Sequence, residues 1–184
     1  MRDYFVKSIC VYLGANSGHF QDFNDAAISL GKEIGSKGLT LIYGGSGLGM
    51  MGLARSVKEY GGKIIGVITK KLIEKEEPLT LLDELHIVET MHERKALMHK
   101  LAELFIVMPG GLGTLEEAFE TWNAIKIGCL DKPIRFLNIN GYFNNLFTFM
   151  DSCEKNGFLL KTQQEIPSIH ADVCELLKNL IRTK

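Results

Sequence analysis

Short apolar runs alternate with amphipathic stretches along almost the whole chain, and this alternation restricts the fold more than any other feature. SICVYLG, LTLIYGG, KIIGVIT, LHIVET, LFIVMPGG and KPIRFLNI each read as a strand apolar on both sides. Helical patterns lie between them, at about 19–36, 50–62, 91–103 and from the turn after Met108 to about Ile127. Two more close the chain, near 142–156 and 171–182, while KKLIEKEEPLTLLDE is too irregular to assign. Strands of this kind separated by helices predict βαβ units in an α/β fold, with a parallel sheet covered by helices on both faces. No internal repeat or linker interrupts the pattern, so residues 1–184 read as one domain.

Such sheets bind ligands beyond the carboxyl ends of their strands. Two glycine-rich turns, after Tyr43 and after Met108, follow strands and precede helices, which places both on that edge. The formal net charge of −1 argues against nucleic-acid and membrane partners, so any anion site must be local. The 46% apolar and 23% charged content is that of an ordinary globular protein. Cys10, Cys129, Cys153 and Cys174 lie far apart, matching reduced thiols better than a zinc site or a disulfide framework. The N-terminus lacks a signal-peptide pattern, and no run approaches the ~20 apolar residues of a membrane span. A cytoplasmic location is the expectation.

The first cluster, YGGSGLGMMG, contains a formal GxGxxG at Gly47, Gly49 and Gly52. A dinucleotide site needs an acid about 20 residues on, and the next strand ends instead in Thr69, Lys70 and Lys71. Two lysines suit a 2′-phosphate, which keeps an NADP-dependent oxidoreductase as a rival; a packing turn is the plain alternative. The second cluster, Pro109-Gly110-Gly111-Leu112-Gly113-Thr114, opens a helix and lacks the P-loop lysine. Its backbone amides suit an anion, and Thr114 can either cap the helix or bind a phosphate oxygen. Glu116, Glu117 and Glu120 follow at once. Glu116 is explained by the helix dipole alone, whereas Glu117 beside an anion site suits stabilising a developing cation or activating water.

In TMHERKALMHK, Arg94 and Lys95 stand on a helix whose buried side is expected to be Met91, Leu97, Met98 and Leu101. Arg94 offers a donor fork for carboxylate or phosphate, but on the helix alone a solvated basic face is the better account of the pair. His92 and His99 are seven residues apart, about 10 Å along a helix, too far to share a metal.

Together these motifs are recognisable. PGGLGTLEE (109–117) resembles the PGGxGTxxE signature of the Lonely Guy (LOG) family, and MHERKALM (91–98) resembles that family's MHxRKxxM. YGGSGLGMMG and DKPIRFLNINGYF are similar to two further family segments, so the resemblance runs over about residues 9–160. It implies a Rossmann-like, doubly wound sheet, usually dimeric, that hydrolyses the N-glycosidic bond of a nucleoside 5′-monophosphate, an N-glycosidase needing water but no cofactor or metal. It also implies Arg94 and Glu117 as the catalytic pair, with Gly110, Gly111, Gly113 and Thr114 around the phosphate. Lys95, Gly45 and Glu76 are implied substrate contacts.

Ser46 replaces a frequent third glycine, and TWNAIKIGCLDKP departs from TWAQLGxHxKP near the expected base site or a subunit contact. The substrate therefore stays open between AMP and an isoprenylated cytokinin nucleotide. A non-catalytic nucleotide-binding protein on the same fold is the other rival. Proteins of this kind have carried the label lysine decarboxylase, but pyridoxal-phosphate decarboxylases share SxHK, and LMHK here has Leu97 in the serine position.

Overall fold

A computed structural model of the chain describes residues 4–15, 18, 19, 21–45, 51–74, 80–178 and 180–182. Seven parallel strands form the main sheet: β2 (Ser8–Tyr12), β3 (Thr40–Tyr43), β4 (Lys63–Thr69), β5 (Glu84–Val88), β6 (Leu104–Val107), β7 (Ile134–Leu137) and β8 (Ser168–His170). Their order is β5-β4-β3-β2-β6-β7-β8. From β2 the chain winds outward through β3, β4 and β5, then returns to lay β6 on the other side of β2. That reversal makes the carboxyl ends of β2 and β6 the switch point of a doubly wound sheet, where a crevice opens.

Both faces are covered, as the unbroken apolar strands predict. Ile9, Val11, Leu41, Tyr43, Leu104 and Ile106 point into one core; their neighbours Cys10, Tyr12, Ile42, Phe105 and Val107 point into the other. On the first face α1 (Gln21–Ser36) packs along α2 (Met51–Glu59), with α8 (Val173–Leu176) nearby. The second face carries α4 (Met91–Leu101), α5 (Leu112–Lys126) and the start of α6 (Asn144–Lys155), through Met98, Ala118 and Phe147. Two elements are shorter: α3 (Lys70–Ile73), directly after β4, and α7 (Lys161–Gln164). No helix among the described residues is long and apolar enough to cross a membrane.

The C-terminal segment corrects the sequence reading. The expected helix at 171–182 is only the short α8, followed by β9 (Leu180–Arg182), which pairs with β1 (Tyr4–Val6) in a separate two-stranded sheet. Val173, Leu176, Leu177 and Leu180 are all buried, so a helical spacing of apolar residues is present, but a short helix followed by a strand meets the same burial demand. The edge strand β8, Ser-Ile-His, carries no apolar run, and its central Ile169 is exposed.

Candidate active site

The α5 helix starts with a glycine at its cap. Gly111 is the N-cap and offers no side-chain hydrogen bond, and Leu115 is the first residue to bond back, to the Gly111 carbonyl at 3.0 Å. Geometry leaves the N–H groups of Leu112, Gly113 and Thr114 without helical partners, at the positive end of the helix dipole. Thr114 therefore does not cap the helix; it is buried three residues inside, with its hydroxyl against Gly110. The helix starts at Leu112, which puts Glu116, Glu117 and Glu120 in its second and third turns, beyond the free amides. The carboxylates and the anion-binding end are thus separated along one helix.

A capping box starts α4. The Thr90 hydroxyl accepts from Glu93 N–H at 3.1 Å, and the Glu93 carboxylate accepts from Thr90 N–H at 3.0 Å. This spacing, Thr90-x-x-Glu93, was a readable helix-start signal. It sets Arg94 and Lys95 just inside the helix, and both are buried. The expected buried side of α4 is accordingly corrected: Arg94, Lys95 and Met98 are buried, Leu97 and Leu101 half-buried, and Met91 exposed. Burying two cations is costly unless each is partnered. Lys95 reaches across to Glu116 and Glu120 of α5. Burial pulls its pKa down, but the two carboxylates outweigh that and hold it above the ordinary lysine value. Arg94 donates its Nε–H to the Val67 carbonyl of β4 at 2.9 Å, which fixes the guanidinium plane. Its Nη2 lies 3.9 Å from Glu117 Oε1, with side-chain exposures of 10% and 12%.

Glu117 is the unusual group. Burial raises its pKa from 4.5 to about 7; Glu116 and Glu120 push the same way, and Arg94 and Lys95 oppose them. Beneath it lies a network that sequence reasoning missed. The Thr121 hydroxyl lies 2.8 Å from the Glu117 carbonyl, and the same oxygen is hydrogen-bonded with the Tyr12 hydroxyl at 2.9 Å and with His99 Nε2 at 2.8 Å. Burial holds the His99 pKa below the ordinary value. Tyr12, His99 and Thr121 come from β2, α4 and α5, and no spacing in the sequence links them.

A cavity of about 560 Å³ opens over these groups. Leu13, Gly14 and Ala15 after β2 and Pro109, Gly110 and Gly111 after β6 line it at the switch point, joined by Gly113, Thr114, Arg94, Glu116 and Glu117. Leu72, Met91, Phe23 and Tyr142 give it an apolar side. Six of the residues singled out by sequence thus meet in one place. Lys95 sits behind them, occupied by Glu116 and Glu120. Gly45 has a positive φ of 78° and packs against the Gly66 backbone of β4, where a Cβ would lie 3.4 Å from Gly66 Cα. Among the described residues it is a turn residue and does not line the cavity. Glu76 and positions 46–50 of the first glycine cluster lie outside the described residues.

Residues 50–180 match the family described as "Possible lysine decarboxylase". The cytokinin riboside 5′-monophosphate phosphoribohydrolase LOG1 of Arabidopsis thaliana is 41% identical over 175 residues, covering 95% of this chain and 82% of that protein. LOG3 of the same plant is 39% identical over 175 residues, covering 95% and 81%. In three dimensions the chain is similar to the molybdenum cofactor binding protein from Rippkaea orientalis, with a TM-score of 0.70, 21% identity and 97% of each chain covered. At that identity the likeness concerns the fold alone.

Proposed function

This chain belongs to the LOG family of cytokinin riboside 5′-monophosphate phosphoribohydrolases, and on that premise we propose that it hydrolyses the N-glycosidic bond of a nucleoside 5′-monophosphate. The products are a free base and ribose 5-phosphate. The observation that carries this reading is the Arg94–Glu117 pair, Arg94 buried and Glu117 nearly so, facing the same cavity as the first amides of α5. In this reading those amides and the Gly110–Gly111 turn hold the 5′-phosphate. Glu117, one turn further along α5, faces C1′ as it becomes oxocarbenium-like. A carboxylate taken out of water and fixed in advance stabilises such a charge far better than a solvated one. Arg94, anchored on Val67, orients that carboxylate. Water adds its oxygen to C1′ and gives up a proton, and the base leaves with the bonding pair and takes a proton. Binding at the remote phosphate supplies the orientation.

A purely nucleotide-binding protein would need the glycine turn but not a buried ion pair, whose desolvation is costly. Leu72 and Met91 line the cavity, and AMP and an isoprenylated cytokinin nucleotide are both kept as substrates. Exposed Leu112 and Phe119 on α5 favour a homodimer, and four free cysteines suit a cytoplasmic protein.

The test is incubation with AMP and with N6-isopentenyl adenosine monophosphate, following base and ribose 5-phosphate by chromatography. Release of both products from either nucleotide supports the reading and ranks the substrates. Nucleotide binding without release moves the assignment to a binding protein. The pH profile gives a second check. Whether Glu117 serves as base, nucleophile or electrostatic stabiliser, the ionised form is required. With its pKa raised to about 7 in the free protein, kcat/KM should climb with pH to a plateau about one unit above neutrality. A kcat/KM profile flat from pH 5 to 8 would mean that Glu117 does not act from the buried state that raises its pKa.

A further inference from the structure

We propose that Tyr142 is a positioning residue for the anion-binding turn, acting through the Gly110 carbonyl. This rests on the reading that the turn holds a 5′-phosphate. Tyr142 lies 32 residues beyond Gly110, yet its hydroxyl donates to the Gly110 oxygen at 2.8 Å and its side chain lines the cavity. Gly110 and Gly111 are consecutive, and neither has a side chain to resist rotation of the peptide plane between them. In a planar trans peptide the C=O and the following N–H point in opposite directions. Holding the Gly110 oxygen therefore also fixes the direction of the Gly111 N–H. The Cα of Gly111 borders open space, with nothing within 4 Å of where a Cβ would stand. A hydroxyl on one side of the peptide thus aims an amide donor on the other.

The tyrosine is itself held. Its ring meets Phe23 of α1 edge-on at 5.5 Å and Phe143 at 5.0 Å. The turn that carries it is tied to α1 by Asn140 Nδ2, which donates to the Asp22 carboxylate at 2.6 Å. Asn140 has a φ of 52°, the left-handed region that asparagine tolerates better than most residues. On the far side Asn138 Oδ1 accepts from Phe143 N–H at 2.7 Å. So α1, the 138–143 turn and the glycine turn form one bracket, with the Tyr142 hydroxyl at its tip.

Tyr142→Phe keeps both ring contacts and removes only the hydroxyl. The expected result is a roughly tenfold rise in KM for the nucleotide and in the Kd of ribose 5-phosphate measured by calorimetry, the loss of about one hydrogen bond's net contribution. The kcat should stay within about twofold, and the thermal midpoint should fall by no more than about 4 °C, since the Tyr142–Gly110 bond also belongs to the fold. Binding of adenosine, which has no phosphate, should be unchanged, whereas general loosening of the fold would weaken both ligands. Equal ribose 5-phosphate affinities for the variant and wild type overturn the proposal and leave the functional reading intact. Failure of the wild-type protein to bind ribose 5-phosphate at all overturns the reading and the proposal with it.

Discussion

Glu117→Gln is expected to lower kcat for base release by about three orders of magnitude, within the range for losing a positioned acid–base or electrostatic group. The KM should change little, because glutamine keeps the shape of the side chain and the phosphate subsite lies a turn away on α5. The same substitution should stabilise the fold above neutral pH. A carboxyl whose pKa is raised from 4.5 to about 7 binds its proton more tightly folded than unfolded. Its contribution is fully present below about pH 4.5 and is lost as pH rises through about 7, so ionised Glu117 opposes folding by roughly 3 kcal/mol at pH 8. Urea melts at pH 4.5 and pH 8 measure this directly. The wild type should lose stability between those two conditions, beyond any change shared with the variant, and Glu117→Gln should lack that extra loss. A variant that keeps more than a tenth of the activity would remove Glu117 from the chemistry. A variant with the same pH dependence of stability as the wild type would mean that the carboxyl is not held out of water beside Arg94. Both effects have one physical source, a carboxylate kept out of water beside a single guanidinium.

The parallel sheet could be read from the strands because burial on both faces leaves a near-continuous apolar signature, as in Leu104–Val107 and Ile134–Leu137. Where burial is incomplete the signature fades, and β8 went unseen for that reason. The site was legible in a different way. The glycines and Thr114 report their role through residue type, since a bare turn opening a helix has few other uses. Arg94 and Lys95 are cations inside a helix, and hydrophobic patterning ranks them as solvent-facing. Their burial depends on partners from α5, Glu117 for Arg94, Glu116 and Glu120 for Lys95, which only the fold brings within reach. The Tyr12–Thr121–His99 network shows the same limit more sharply. Each of these residues is unremarkable in sequence, and their common point is one hydroxyl oxygen. Residue type and local spacing were informative about the turn; three-dimensional charge pairing decided which charged side chains serve the cavity.

Gly110→Ala should damage both folding and ligand binding, whereas Gly111→Ala one position later should damage ligand binding alone. A Cβ on Gly110 would stand 2.7 Å from the Thr114 Cβ and 2.8 Å from the Gly14 backbone nitrogen, and closer still to the Thr114 hydroxyl. None of these neighbours can retreat cheaply. Thr114 is buried in α5, and Gly14 is held by its own N–H to the Pro109 carbonyl at 3.2 Å. Relief requires the β2 and β6 turns to separate, which opens the switch-point crevice and misplaces the amides at the start of α5. Overpacking of this kind costs about 1–3 kcal/mol, or roughly 3–10 °C in the thermal midpoint of a chain this size. The KM for the nucleotide should rise by at least the tenfold expected of Tyr142→Phe, since the whole turn shifts and not one amide. At Gly111 an added methyl meets nothing in the fold, so the thermal midpoint should stay within about a degree. The methyl would instead occupy the space where the phosphate is placed, and KM should rise with little change in stability. Differential scanning calorimetry and steady-state kinetics on the two variants separate the effects. If both alanines leave KM unaltered, the phosphate lies elsewhere in the cavity and the turn only joins strand to helix.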